Sequence, residues 1–508
     1  MGGGQDDPDA VVIGSGPNGL VAACVLARAG LEVLVLEANP TRAGGAVGSE
    51  EATRPGFVHD VGAGFFPWGA LSPAFKSLPL AEHGLRWRRA VYESCHPAPD
   101  GSYACISGDH DRTAAHFGSA QDGERWRRIA TWYGSIEPPL IDLLLRTFPT
   151  IGPAFHLGPL NLARLGAVFL SSGRGLSQRW FTSPAASRVL PALGLHVDVG
   201  PDDRFGAALG FMLGMTATTG GYAVPEGGAR SIAEALVGCL RAYGGRLRLG
   251  ARVEQVVVRE GRARAVRLAS GEEIATRAVL ADTDAAALLL DLVGAEHLPA
   301  WVARFMRHYP RGWGTFKVDW ALDGPVPWSV GPARASAVVH AGDSIDDLSR
   351  FTAQVRSGAL PDNPYLVIGQ QSLVDPTRAP PGSHTLWAYT RVPPTIEGGW
   401  AAQAEALGDR IDARIEGLAP GFRARILARR VVPPDRLEAM DPNLVGGDLG
   451  GGSNAWNRQL LFRPVFPYFR YRMPVRSLYL CSSYAHPGAG VHGMCGFNAA
   501  EHVVKDLG

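Results

Sequence analysis

The beginning of the chain shows a β-α-β alternation in its apolar positions. Ala10–Ile13 is a continuous apolar run typical of a buried strand, and residues 18–29 place apolar side chains at helical spacing. Gly30 suits the end of that helix, and residues 32–36 alternate as a second strand. This order predicts two parallel strands joined by a right-handed crossover helix.

A mostly helical pattern replaces the alternation between residues 126 and 215. Proline and glycine separate three apolar segments with helical spacing there, 136–148, 162–170 and 205–215. We expect these segments to form a separate helical part of the molecule.

The rest of the chain returns to strands. The pattern predicts an amphipathic helix over 231–243, strands at 246–249, 253–259, 263–268, 278–281, 316–320 and 478–481, and a last helix over about 498–506. Nucleotide-binding signals lie near both ends and in the middle. The fold expected is therefore α/β: a Rossmann-type cofactor domain with an inserted mixed-sheet substrate domain and a helical subdomain. The cofactor domain would comprise residues 1–75, 222–300 and 445–508, and the substrate domain residues 76–221 and 301–444.

Size and composition narrow the class of protein. A chain of 508 residues exceeds what one core usually supports, so at least two domains are expected. The formal net charge of +1 argues against a nucleic-acid-binding protein. No apolar run reaches membrane-spanning length, although a peripheral membrane contact stays open. The six cysteines form no CxxC pair, so no zinc site or dithiol centre is indicated, and they suit a reducing cytoplasm.

The strongest chemical signal is a dinucleotide motif. It consists of Gly14, Ser15, Gly16, Pro17, Asn18 and Gly19, placed between the first strand and its helix. Gly14 permits the tight turn, Gly16 lets backbone N–H groups approach a pyrophosphate, and Gly19 lets helix and strand pack closely. Glu37, at the end of the second strand, suits an unphosphorylated ribose, as in FAD or NAD.

The residues beyond Glu37 favour FAD. Gly44 and Gly45 extend the motif, and the whole segment then resembles the long dinucleotide fingerprint of the amine oxidase and phytoene desaturase flavoproteins. The likeness recurs in residues 60–64, in Pro225-Glu226-Gly227-Gly228, at Val253 and in residues 478–500. The resemblance implies FAD contacts from all of these segments. Besides the glycine motif and Glu37, the implied contacts are Ala38, Gly44, Gly45, Ala46, Gly62, Ala63, Val253, Ser482, Gly493, Met494 and Asn498.

Within that superfamily the chain resembles the phytoene desaturase-related branch, which includes proteins named for a pyridine nucleotide-disulfide oxidoreductase domain. Residues 314–319, 443–452 and 463–464 carry this narrower likeness. The Gly-rich tail also has a physical rationale. Backbone N–H groups of Gly493, Met494 and Cys495 at the start of the last helix would stabilise negative charge on reduced flavin.

Two side chains are candidates for the chemistry itself. Lys317 follows a glycine turn on a predicted strand, and in amine oxidase relatives a lysine on the comparable strand holds a water near the flavin. A buried lysine there would act in proton transfer or oxygen activation, whereas the alternative is a lysine at a surface edge. His492, in the flavin loop, is either a donor to flavin or substrate or a structural loop histidine.

The chain has one nucleotide fingerprint, so a separate NADPH site is not expected, and oxygen or a quinone is the expected electron acceptor. Apolar and aromatic residues after Gly64 favour an apolar small-molecule substrate. A desaturase or dehydrogenase is the first interpretation. An amine oxidase, a polyene isomerase or saturase, and a non-catalytic flavoprotein remain as alternatives, because this fold hosts many chemistries.

Overall fold

The nucleotide-binding half is built on a five-stranded parallel sheet. The computed structural model describes residues 7–508, so the first six residues of the predicted cofactor domain lie outside the described part. The strands lie in the order Leu478–Leu480, Ala278–Ala281, Ala10–Ile13, Val33–Leu36 and Arg246–Arg248. All four pairings are parallel, and the connecting helix runs over Pro17–Arg28. The predicted β-α-β unit and the α/β fold class are confirmed.

A seven-stranded mixed sheet forms the second layer. Its order is Ile426–Val432, Gly314–Leu322, His384–Val392, Leu366–Gly369, Ser336–Ala341, Tyr92–Pro97 and Tyr103–Ile106. The strand predicted over 316–320 extends to Gly314–Leu322, and every one of its residues is buried. It lies inside the sheet, hydrogen-bonded on both sides. Lys317 is therefore in the interior, and the alternative of a lysine at a surface edge is wrong.

Three smaller sheets complete the strands. An antiparallel sheet joins Val253–Arg259, Arg262–Leu268 and Glu273–Ala275. Two ribbons pair Ser49–Glu50 with His59–Asp60, and Trp87–Arg88 with Val224–Pro225.

The middle of the chain is helical, as predicted. Its helices are His110–Ala115, Ala120–Leu145, Ile151–Phe169, Gly173–Trp180, Pro184–Ser187, Val189–Gly194 and Ala207–Thr219. The helix expected to begin at residue 136 begins at Ala120 and continues through Pro138 and Pro139. Ser119 caps it, because its hydroxyl accepts a hydrogen bond from Asp122 N at 3.2 Å.

The remaining helices support the two large sheets. They are Pro67–Leu71, Pro73–Lys76, Arg230–Ala242, Ala287–Gly294, Ala300–Arg307, Ile345–Arg356, Trp400–Leu418, Pro434–Met440 and Met494–Leu507. The last begins four residues earlier than the predicted start at 498. Gly496 is a packing glycine inside this helix, since a Cβ there would overlap the carbonyl of Asn18 on the first helix.

Two clusters of buried apolar side chains form the core. One extends from the five-stranded sheet into the helical part, and the other lies between the seven-stranded sheet and Trp400–Leu418. Within residues 7–508, no helix is long and apolar enough to cross a membrane. The division into domains stays a prediction.

A buried ion network joins three separated segments. Arg378 donates from Nη1 to Asp60 Oδ1 at 2.9 Å and from Nε to Asp375 Oδ2 at 2.8 Å. The three side chains are at most 1% exposed. The same carboxylates accept backbone N–H groups of Gly227 and Ala229, each at 2.8 Å. The network thus fixes the loop after His59–Asp60 against the Pro225–Gly228 turn.

Replacing Arg378 by methionine is expected to lower the free energy of unfolding by about 3–5 kcal/mol, because two buried carboxylates lose their partner. Urea unfolding followed by tryptophan fluorescence measures the change. Arg425→Met is the matched control, because Arg425 pairs with Asp323 at 3.4 Å in an exposed ion pair. That variant is expected to change stability by about 0.5 kcal/mol or less. Equal losses in the two variants would contradict the role given to Arg378.

Candidate functional site

A cavity of about 790 Å³ opens at the carboxyl ends of the central strands of the five-stranded sheet. Its volume lies within the range of cofactor sites. Eleven of the residues that the sequence selected line it: Gly14, Ser15, Gly16, Pro17, Asn18, Glu37, Ala38, Gly45, Ala46, Val253 and Ser482. Segments far apart in the sequence are thus brought together at one site.

Other selected residues support the cavity or lie beside it. Gly44 N donates to Ser15 O at 3.0 Å and so holds the extended motif against the glycine loop. Gly62 and Ala63 are half-buried in the loop after Asp60, outside the cavity lining. Asn498 also lies outside the lining, and its amide donates to Leu145 O and to the Tyr471 hydroxyl, each at 2.8 Å.

The start of the last helix differs from the arrangement expected for it. Gly493 has a positive φ of 68° and precedes the helix without a side-chain cap. Met494 N donates to His492 Nδ1 at 3.0 Å, so this N–H group already has a partner. His492 is buried, and burial lowers its pKa to about 3. Its Nδ1 is therefore an acceptor and its Nε2 carries the proton, and Nε2 has no hydrogen-bond partner within residues 7–508. The role of His492 stays a prediction.

Glu37 is held in place by the glycine loop. Its Oε2 accepts Ser15 N at 2.9 Å and Ser15 Oγ at 2.5 Å, and its Oε1 accepts Asn39 N at 2.7 Å. A carboxylate has about four acceptor positions, so one on Oε1 remains for a ribose hydroxyl, and a second becomes free on Oε2 when the Ser15 hydroxyl rotates away.

The helix Pro17–Arg28 presents its N-terminus to the cavity, where the first-turn N–H group of Gly19 is already bound by Asp282. Its N-cap Gly16 provides no side-chain cap, and the first turn contains no acidic residue. A helix N-terminus of this kind binds a phosphate group through its backbone N–H groups and its dipole. The residues present therefore fit a dinucleotide.

Asp282, which the sequence analysis missed, explains the spacing of the glycines. It follows the strand Ala278–Ala281, lines the cavity, and accepts Gly19 N at 2.8 Å. A Cβ at Gly14 would lie 2.8 Å from Asp282 O, and one at Gly16 would overlap the carboxylate. Burial raises the pKa of Asp282 to about 7. A carboxyl group thus shares the floor of the cavity with the helix N-terminus.

Lys317 lies on the face of the seven-stranded sheet close to the loop after Asp60. Its Nζ donates to Asp319 Oδ2 at 2.6 Å, and Asp319 Oδ1 lies 3.6 Å from His59 Nδ1. Burial lowers the pKa of His59 to about 4, so this imidazole is neutral at neutral pH. Lys317 is consequently one member of an ion pair, and its catalytic role stays a prediction.

Three aromatic side chains, Phe65, Trp387 and Tyr389, form an aromatic wall beside the same loop. Phe65 contacts Trp387 with ring centroids 5.9 Å apart, and Trp387 stacks on Tyr389 at 5.4 Å and 21°. Tyr389 pairs with Lys317 across adjacent strands, so both side chains point to the same face of the sheet.

Two cysteines are closer than their sequence spacing suggested. Cys95 Sγ and Cys105 Sγ lie 2.7 Å apart on paired strands, both fully buried. Burial raises the pKa of Cys105 well above its usual value, so little reactive thiolate is present.

Two family models match the chain. An NAD(P)-binding Rossmann-like domain covers residues 12–78, and the model of flavin containing amine oxidoreductases covers residues 176–493, more than half of the chain. The chain belongs to the flavin-containing amine oxidoreductase family. It is an FAD-dependent oxidoreductase, and FAD is its cofactor, as the family resemblance predicted.

Similar proteins agree with this assignment. Pyridine nucleotide-disulfide oxidoreductase domain-containing protein 2 of Mus musculus is 30% identical, with 98% of this chain and 94% of that protein covered. A limonene dehydrogenase polypeptide of Castellaniella defragrans is 23% identical, with 98% and 95% covered. The solved structure of an oxidoreductase from Methanosarcina mazei matches with a TM-score of 0.64 at 18% identity, covering 98% of this chain and 99% of that one, which shows the fold alone. The predicted resemblance is confirmed.

The affinity for FAD is expected to fall as the pH rises from 6 to 9. Below its pKa of about 7 the Asp282 carboxyl is mostly neutral, and above it the carboxylate repels the diphosphate. One linked proton changes the FAD dissociation constant by at most about tenfold per pH unit. Titration of the apoprotein with FAD, followed by flavin fluorescence, measures the constant.

Asp282→Asn is the test of this assignment, because an amide oxygen still accepts the Gly19 N–H but carries no charge. We expect its FAD affinity to be nearly constant over the same pH range. A variant that keeps the slope of the unchanged protein would exclude Asp282 as the titrating group.

Proposed function

We propose that this oxidoreductase is a desaturase or dehydrogenase that removes hydride from a C–H bond of a largely apolar, isoprenoid-like substrate. The bound flavin supplies the hydride acceptor. The observation that supports this proposal is the aromatic wall of Phe65, Trp387 and Tyr389. This wall lies beside the loop that the family resemblance assigns to the flavin ring.

The same wall disfavours an amine as the substrate. An amine between two ring faces needs about 7 Å between them, because it makes a van der Waals contact of about 3.5 Å with each face. Trp387 and Tyr389 instead stack on each other at 5.4 Å. The carboxylate on this face, Asp319, is already paired with Lys317. A cationic amine would therefore find a carboxylate that is already paired, and the Tyr389 ring already has a cation–π partner in Arg391 at 5.2 Å, while a hydrocarbon needs neither contact.

The proposed FAD contacts are the residues that the sequence selected. Glu37 would receive the ribose hydroxyls, and the glycine motif with the N-terminus of Pro17–Arg28 would hold the diphosphate. Gly62, Ala63, Gly493 and Met494 are proposed to lie beside the flavin. Oxygen or a quinone is the proposed final electron acceptor.

We also propose that the enzyme is cytoplasmic and takes its substrate from a membrane surface. Support for a reducing compartment comes from the six cysteines, all of which are free. Support for membrane contact comes from the helix Ile151–Phe169, whose exposed apolar residues include Ile151 at 76%, Phe155 at 84% and Leu160 at 64%. Such exposure is typical of an interaction surface.

Basic and indole side chains accompany these apolar residues. A groove of about 450 Å³ between the helices is lined in part by Arg125, Arg128, Arg164, Arg179, Trp132 and Trp180. Arginine binds phosphate groups, and tryptophan favours the boundary between headgroups and acyl chains. The neighbouring segment reaches the flavin loop, because His486 Nε2 lies 3.2 Å from Arg146 O. We infer that an anionic bilayer lies against this surface, which would shorten the path of an apolar substrate.

The reaction class is tested by anaerobic bleaching of the flavin absorbance. A lipid extract of the host and a panel of amines are added separately to the purified holoenzyme. Bleaching by the lipid fraction is the expected result, and fractionation then identifies the substrate. Bleaching by amines alone would replace the proposal with an amine oxidase. A flavin that is bleached by neither but is required for isomerising a polyene would point to an isomerase.

Membrane contact is tested by sedimentation of the holoenzyme with vesicles. We expect binding to vesicles that contain phosphatidylglycerol, weaker binding to pure phosphatidylcholine, and loss of binding at high salt. Phe155→Ser together with Leu160→Ser is expected to weaken binding by about tenfold or more, because two exposed apolar side chains that would enter the bilayer are lost. Leu427→Ser is the control, since Leu427 is 41% exposed on the strand Ile426–Val432, away from these helices. Equal weakening in control and variant would refute the assigned surface.

A further inference from the structure

Five polar side chains contact one another in series inside the molecule. The Tyr389 hydroxyl lies 3.1 Å from His196 Nδ1, and His196 Nε2 lies 2.9 Å from His340 Nε2. His340 Nδ1 lies 2.9 Å from Ser94 Oγ, which lies 2.9 Å from His96 Nε2. The series crosses four elements of the fold, and no step in the site described above uses it.

The three imidazoles are neutral. Burial lowers the pKa of His196 to about 3 and that of His96 and His340 well below the usual value. The nearest cations, Arg391 beside His196 and Arg188 beside His96, act in the same direction. Each ring therefore has one N–H donor and one acceptor nitrogen.

With one donor on each ring, the series has a single direction at any moment. If the Tyr389 hydroxyl donates to His196 Nδ1, His196 must donate to His340, His340 to Ser94, and Ser94 to His96 Nε2. The proton of His96 then lies on Nδ1, the atom that has no hydrogen-bond partner within residues 7–508. The opposite direction satisfies the same contacts and leaves the Tyr389 hydroxyl free to donate.

The two ends of the series lie in different places. Tyr389 is partly accessible and stacks on Trp387, in the aromatic wall beside the loop after Asp60. His96 is buried one residue before the end of the strand Tyr92–Pro97, and the exposed turn over residues 99–101 follows that strand along the chain. Arg188 ties that turn to the strand, since its Nη2 donates to His96 O at 2.8 Å and to Ser102 O at 2.7 Å.

We propose that Tyr389, His196, His340, Ser94 and His96 form a proton relay between the substrate face of the seven-stranded sheet and the surface turn near residue 100. Tyr389 contacts the substrate, and the other four act through it as relay residues.

The relay removes the proton that the proposed oxidation releases. This step rests on the proposed function. Bound flavin would supply the acceptor for hydride from one C–H bond of the substrate, and the electron pair of the adjacent C–H bond would become the π bond as its proton moves to the Tyr389 oxygen. Tyr389 passes its own proton to His196 Nδ1, and each following group accepts one proton and gives up another. His96 Nδ1–H transfers the last proton to a water. All five groups end neutral, with the direction of the series reversed.

The alternative is that these side chains only satisfy one another in a packed core. The two possibilities make opposite predictions for hydrogen exchange. In a relay, ring protons exchange with water along the series, so cutting it slows their exchange. In a purely structural cluster, removing one member loosens the packing and makes exchange faster.

The test is the exchange rate of the histidine ring N–H protons, measured by NMR on holoenzyme with ¹⁵N-labelled histidine. Tyr389→Phe first removes the hydroxyl at the substrate end of the series. Proton exchange with water along the series can then begin only at the His96 end. Adding Ser94→Ala is then expected to slow the exchange at His196 and His340 by about tenfold or more, because opening of the structure becomes the remaining route. Unchanged or faster exchange would overturn the proposal.

Adding Ser177→Ala instead gives the matched control. Ser177 is also fully buried, and its hydroxyl has no partner within the described residues. We expect its removal to leave the exchange at His196 and His340 unchanged, and an equal slowing in this control would also overturn the proposal. The exchange experiment needs no substrate, so it decides the relay even if the lipid fraction fails to bleach the flavin.

A kinetic measurement follows with the lipid fraction that bleaches the flavin. Ser94→Ala alone is expected to reduce the rate constant for flavin reduction by about 100-fold while the concentration for half-saturation stays the same. The solvent isotope effect in D₂O should rise in the variant, because proton transfer then limits the step. An unchanged rate constant would remove the relay from catalysis.

Discussion

The loop that the family resemblance assigns to the flavin is held by one buried cation, Arg378. Arg378 pairs with Asp60 and Asp375 at once, and these carboxylates also accept the backbone N–H groups of Ala229 and Gly227. A buried ion pair contributes little net stability, but it has a narrow choice of geometry. The loop after His59–Asp60 therefore has one position relative to the turn that leads into the helix Arg230–Ala242. The cofactor half and the seven-stranded sheet meet at this loop.

Beside that loop, one face of the seven-stranded sheet presents two sets of side chains with different properties. Lys317 with Asp319 forms a charged pair close to His59, whereas Phe65, Trp387 and Tyr389 form the apolar wall. An apolar wall favours a hydrocarbon, and the pairing of Lys317 with Asp319 offsets part of the desolvation cost of the two charges beside it. The arrangement suits a reaction in which the flavin accepts hydride and side chains of the protein accept a proton.

The sequence predicted those features of the fold and the site that short, continuous sequence patterns indicate. The glycine motif with Glu37 is a local pattern, and it led directly to the parallel sheet, a dinucleotide cofactor and six of the residues that line the cavity, while the choice of FAD and five further lining residues came from the family resemblance. Asp282 interacts with Gly19 from 263 positions away, and Arg378 reaches Asp60 across 318 positions. Single residues that meet only in the folded chain have no spacing to recognise. The late predicted start of the last helix has a related cause, because Gly496 suggested a loop and in fact permits close packing on Asn18.

The contact between the first helix and the last also sets an order of events in the cell. The helix Pro17–Arg28, which presents its N-terminus to the cofactor, packs along Met494–Leu507, and the edge strand of its sheet is Leu478–Leu480. A ribosome completes nearly all of the chain before these partners emerge. We therefore expect the apolar face of the first helix to stay unpacked, and the cofactor cavity to stay incomplete, until residues 478–507 have been synthesised.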